Sequence, residues 1–150
     1  MRPRRLVPIL ARLTDPLAEP AYALLRLIAG GFLIPHGTWK LFGIAGGTHA
    51  EMVEFFRSIA LEPAELLVYA VGIVEFFGGI LIAIGLLTRP AALAATVTTG
   101  VAAFYFHLPL GFYVDNGGAE FALLWTAVLL MIAVGGGGRF SVDRRIGIEF

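Results

Sequence analysis

The chain has 150 residues, room for one domain, with 58% hydrophobic residues, only 15% charged residues and a mean hydropathy of +0.84. Soluble domains carry about 25% charged residues, so this composition points to an integral membrane protein rather than a soluble enzyme domain. Eleven basic and eleven acidic residues cancel and leave no basic face for nucleic acid, and the lack of cysteine excludes disulfides, thiolate metal sites, iron–sulfur clusters and CxxC redox chemistry.

Residues 1–20 begin with four arginines in twelve positions (Arg2, Arg4, Arg5, Arg12) and a short apolar run over 6–11 that Pro8 interrupts. That run falls short of the roughly 7–15 residues of a signal-peptide core. The segment reads as a cytoplasmic lead-in at the membrane interface. The first apolar stretch, 21–42, carries Arg26, His36 and Lys40. A polar loop over 43–63 follows. Within it Met52, Phe55, Phe56 and Ile59 recur at i, i+3, i+4 and i+7, predicting a short amphipathic helix. Thr48 followed three residues later by Glu51 makes a capping box at its start. This helix is expected flat on the membrane surface or over the mouth of the bundle.

The second stretch, 66–87, is interrupted only by Glu75, and a tight Leu87-Thr88-Arg89-Pro90 connection leads into the third, 91–110, which holds His107. Asp115-Asn116-Gly117-Gly118 is a strong turn signal. Glu120 opens the fourth stretch, 121–138, and residues 139–150 form a polar tail. A crossing helix needs roughly 20 mainly apolar residues. The predicted fold is therefore all-α: one domain, a four-transmembrane-helix bundle with a short amphipathic helix between the first and second spans. Arginines cluster before the first span, at Arg89 and after the fourth span, so both termini are expected in the cytoplasm, with the chain in the inner membrane.

Ionisable groups within a bilayer cost at least about 2.5 kcal/mol each and belong in the bundle interior. At 100° per residue Arg26, His36 and Lys40 fall in an arc of roughly 80°. His107 lies within roughly 40° of Thr96, Gly100 and Ala103, a small-residue packing face. The alternating topology puts His36, Lys40, His107 and Glu120 in the outer half, with Glu75 below them, and Pro35 predicts a bend beside His36. Two readings stand side by side. In one, Arg26 and Glu75 form a structural ion pair and the two histidines satisfy backbone groups freed by Pro35 and Pro109. In the other, His36, Lys40, His107 and Glu120 line a ligand cavity, with Glu75 and Glu120 as proton-relay candidates. Two histidines without a short-range ligand motif do not make a haem or metal site.

The segments HGTWKLFG over 36–43, EFFGG over 75–79 and GRFSVD over 138–143, with Arg26, His107, Gly117, Gly118 and Glu120, resemble the DoxX family of small prokaryotic membrane proteins. The resemblance implies a subunit associated with quinol oxidase or thiosulfate:quinone oxidoreductase activity, or with redox-stress and detoxification systems. On that basis the expected function is redox-associated binding of a quinone-like or other hydrophobic small molecule. Any electrons would come from a redox partner protein or a bound cofactor. The alternative is a non-enzymatic scaffold, assembly factor or small-molecule carrier, alone or as a homo-oligomer.

Overall fold

A computed structural model describes residues 8–44 and 46–148. All its regular elements are helical. Helix α1 (Pro8–Thr14) runs through a 3₁₀ turn at Asp15–Leu17 into α2 (Ala18–Phe42). Helix α3 is His49–Ser58. Helix α4 (Ala64–Ile84) contains a π-helical turn at Val74–Gly78, and α5 (Thr88–Leu110) another at Ala102–His107. Helix α6 is Glu120–Gly135 and α7 is Val142–Ile146. The expected lead-in is thus helical from residue 8 onward, and its first seven residues lie outside the described part.

Among the described residues three helices are long and apolar enough to cross a membrane: Ile9–Phe42, Ala64–Ile84 and Thr88–Leu110. The fourth apolar helix, α6, has 16 residues. The expected fourth stretch reached residue 138, but the helix stops at Gly135 because Gly136 leaves helical geometry at φ 74° and ψ −162°. Helix α2 continues through Pro35. Large apolar side chains point outward, among them Leu24, Ile73, Val97, Phe104 and Met131. With lipid outside, no hydrophobic drive separates inside from outside, so the interior is built by close packing of small residues.

That packing sets the register of α2 against α4. A Cβ on Gly30 would stand 2.3 Å from the Gly79 carbonyl oxygen, and one on Gly37 would stand 2.3 Å from the Phe76 nitrogen. The two backbones therefore touch, and each step up α2 is a step down α4. On the other side Ala91, Ala92 and Ala95 of α5 are buried with Leu129 and Ile132 of α6. Thr126 donates to Thr99 across that seam at 3.1 Å.

Candidate functional site

The register decides which cation meets Glu75. Gly72 lies against Lys40 and Leu41, whereas Arg26 lies against Ile82 and Ala83, about two helical turns from the acid. Lys40 Nζ donates to Glu75 Oε2 at 2.7 Å. Both residues are buried, 8% and 9% exposed. The expected Arg26–Glu75 pair is not formed; Lys40 is the partner. Glu75 sits in the π-helical turn of α4. Such a turn inserts an extra residue into the helical wheel and re-aims its side chains, and π turns recur at functional sites.

This ion pair stands at the wall of a cavity of about 670 Å³, within the usual ligand-pocket range of roughly 300–1,000 Å³. Its lining is predominantly apolar, and its ionisable groups are His36, Lys40, Glu75 and His107. Three of the four expected ligand residues therefore meet in one cavity. The fourth, Glu120, is not on its wall: at the exposed start of α6 it accepts from the Val114 N–H at 3.3 Å. Helical angle and depth placed it near the others, but its carboxylate turns back to the preceding loop.

His107 Nδ1 lies 2.6 Å from the Gly117 carbonyl oxygen. A carbonyl only accepts, so Nδ1 carries the proton, and neutral His107 presents Nε2 as an acceptor. His36 is exposed and has no hydrogen bond among the described residues. Helix α3 roofs the cavity with Met52, Phe55, Phe56 and Ile59, as its periodicity predicts. Its capping box forms in both directions: Glu51 N–H to Thr48 Oγ1 at 3.2 Å and Thr48 N–H to Glu51 Oε2 at 2.7 Å. The roof is fastened at three points. Tyr105 Oη donates to the Ile59 carbonyl at 2.9 Å, Phe55 packs edge-on to Phe106 at 4.9 Å, and His49 Nδ1 bonds the Lys40 carbonyl. Sequence reasoning passed over His49, which sits in the first turn of α3 with no pattern to mark it.

The sequence pattern of the DoxX family matches residues 21–108, more than half of the chain and all of the cavity-forming part of α2 to α5. The chain belongs to the DoxX family. It is 30% identical over 131 residues to an uncharacterized protein of Haemophilus influenzae, covering 82% of this chain and 88% of that one. It is 31% identical over 117 residues to a Bacillus subtilis protein named "Putative oxidoreductase CatD", covering 78% and 79%. No solved structure matches it significantly.

This DoxX protein also has a second polar cluster, at the other end of the bundle. Arg26 donates to the Ile82, Ala83 and Phe140 carbonyls at 2.7, 3.0 and 2.8 Å. Asp143, only 3% exposed, accepts from the Leu87 N–H, the Thr88 N–H and the Thr88 hydroxyl at 2.8, 3.0 and 2.8 Å. It thereby caps the start of α5. Leu87 has a left-handed backbone, φ 48°, a conformation costly for a branched residue and held here by its bond to Asp143. Burial opposes the charge on Asp143, but the Thr88 and Leu87 hydrogen bonds and the Arg26 charge outweigh it and hold its carboxyl below the usual value. The polar tail is therefore folded back onto the bundle as far as Asp143. Tyr22 Oη, bonded to the Gly136 carbonyl at 2.7 Å, closes the same end. The start of α2, the α4–α5 turn and the end of α6 thus lie together.

Proposed function

We propose that the protein is a four-pass inner-membrane protein, both termini cytoplasmic, that binds a quinone-like molecule in the cavity beneath α3 as part of a redox system. The observation that carries this reading is the Lys40–Glu75 pair at the wall of an otherwise apolar cavity. Keeping a lysine and a glutamate buried costs several kcal/mol of desolvation. Two apolar residues would pack the same space more cheaply, which makes the pair a functional-site candidate.

The residues suit the chemistry. A quinone carbonyl needs a donor, and the Lys40 ammonium supplies one. A quinol hydroxyl needs an acceptor, and His107 Nε2 or the Glu75 carboxylate supplies it. Reduction of a quinone takes two electrons and two protons. Glu75 and the exposed His36 form a short route for the protons between cavity and surface, and a partner protein supplies the electrons. The oxidoreductase name carried by the Bacillus subtilis relative fits this setting. The meeting of the first part of α2 with residues 136–143 at the Arg26–Asp143 end supports an even number of crossings, with α6 as the fourth.

The test is retention of decylubiquinone by protein reconstituted in lipid nanodiscs. Wild type is expected to retain a stoichiometric amount. The Lys40→Met/Glu75→Leu double variant, folded but without the pair, should bind at least about tenfold more weakly, a loss of about 1.4 kcal/mol. Equal retention by both overturns the reading. Co-purification of a redox-inactive lipid in place of quinone would instead favour a carrier.

A further inference from the structure

The wall between α2 and α6 is made of stacked rings. Phe32 of α2 lies on Trp125 of α6 with centroids 5.7 Å apart and planes at 7°, and Phe121 lies on Trp125 at 5.5 Å and 24°. All three line the cavity, and Phe32 is 58% and Phe121 53% exposed. Cavity-lining rings that stay more than half exposed belong to its rim rather than to its depth. Other seams are fastened: α2 to α4 by backbone contact at Gly30 and Gly79, α5 to α6 by Thr126–Thr99, and α3 to α5 by Tyr105–Ile59. Between α2 and α6 at this level the described residues make no hydrogen bond.

We propose that this Phe32–Trp125–Phe121 stack is a lateral portal, through which a flat ring enters the cavity from the membrane by replacing Phe32 against Trp125. The proposal rests on the quinone-binding reading above and adds the route and the seat of the ring. An aromatic pair contributes about 0.5–1.5 kcal/mol beyond its buried area. Exchanging one stacked ring for another leaves that contribution nearly unchanged, so a planar head group opens the portal at little cost. An acyl chain has no ring to offer and loses the stack. The portal therefore selects flat rings over the lipid tails that surround it in large excess.

The chain has two tryptophans, Trp39 and Trp125. Trp39 packs under Gly46 and Gly47 and is not among the cavity-lining residues, and its indole N–H has no hydrogen-bond partner among the described residues. Trp39→Phe thus leaves one fluorophore, at the portal. In nanodiscs, decylubiquinone should quench Trp125 saturably, and the Trp125→Phe chain, with only Trp39, should show no saturable quenching. In the Trp39→Phe background, Phe32→Ala should raise the rate of quenching by about threefold or more, as removal of a gate acts on association. Phe32→Leu, which keeps apolar bulk without a ring, should do the same. Bound quinone is measured in parallel by extraction. Quinone retained without saturable quenching of Trp125, or an unchanged rate in both Phe32 variants, overturns the portal and leaves the binding reading intact. Quinone retained by no variant and not by wild type overturns both.

Discussion

The two ends of the bundle use the same kinds of residue to opposite ends. At one end Arg26 and Asp143 spend their charge on backbone: three carbonyls for the arginine, two N–H groups and a hydroxyl for the aspartate. At the other end Lys40 and Glu75 bond each other at the wall of a mainly apolar cavity. Charge that satisfies backbone is explained by the fold. Charge that lines a cavity is not, and it is there that the proposed ligand is placed.

The sharpest way to break this contrast is Arg26→Leu. It strips three carbonyls of their donor and should cost roughly 3–5 kcal/mol, read as a large fall in melting temperature. The surviving folded fraction should retain quinone like wild type; lost retention at unchanged stability would make the Arg26 end functional too. Next comes Lys40→Met, which leaves Glu75 buried without its cation and should cost about 3 kcal/mol. The Lys40→Met/Glu75→Leu double variant should recover most of that stability but none of the quinone binding. A double variant that recovers both would reduce the pair to a packing device.

Asp143 supplies a pH signature confined to the backbone-satisfying end. Its folded carboxyl is held below its ordinary value, so its contribution is complete above the unfolded pKa of about 3.9 and is lost as pH falls through the folded value. Melting temperature should therefore drop steeply below about pH 4, and Asp143→Asn should lower it at neutral pH while flattening that acid limb. An unchanged acid limb in the variant would show that another carboxylate controls it. The smallest effect is expected from Thr48→Ala, which removes half of the α3 capping box at a cost of about 1 kcal/mol. Hydrogen exchange should quicken in α3 alone, and quinone should exchange faster beneath the loosened roof.

Much of this was legible beforehand. Apolar runs located the three long helices and the shorter α6, and the periodicity of Met52, Phe55, Phe56 and Ile59 with the Thr48–Glu51 spacing located α3 and its cap. Helical angle brought His36, Lys40 and His107 together. The partner of Glu75 was not legible from angle, because Arg26 and Lys40 occupy the same arc of α2. Depth separates them, and depth depends on the register of two antiparallel helices joined by a 21-residue loop over 43–63. The clue was the glycines: setting Gly37 against Phe76 brings Glu75 within one helical turn of Lys40 and leaves Arg26 far from it. The π-helical turns left no such clue, since one extra residue per turn has no compositional mark. Glu120 failed because a side chain at a helix start is governed by the loop before it. Asp143 went unnoticed because hydropathy alone reads residues 139–150 as solvent-facing.

The helices differ greatly in length. The continuous rod Ile9–Phe42 has 34 residues and α6 has 16, which at 1.5 Å per residue are about 50 Å and about 24 Å. A bilayer core is about 30 Å thick. Lipid therefore meets a tall face along one helix and a short face along its neighbour. Beside α6 the acyl chains must splay or shorten, drawing polar head groups inward toward Phe121, while Ile9, Leu10, Leu13 and Leu17 extend an exposed apolar edge past the slab on the other side. Such mismatch costs fractions of a kcal/mol per ångström. The protein thus carries its own gradient of membrane thickness.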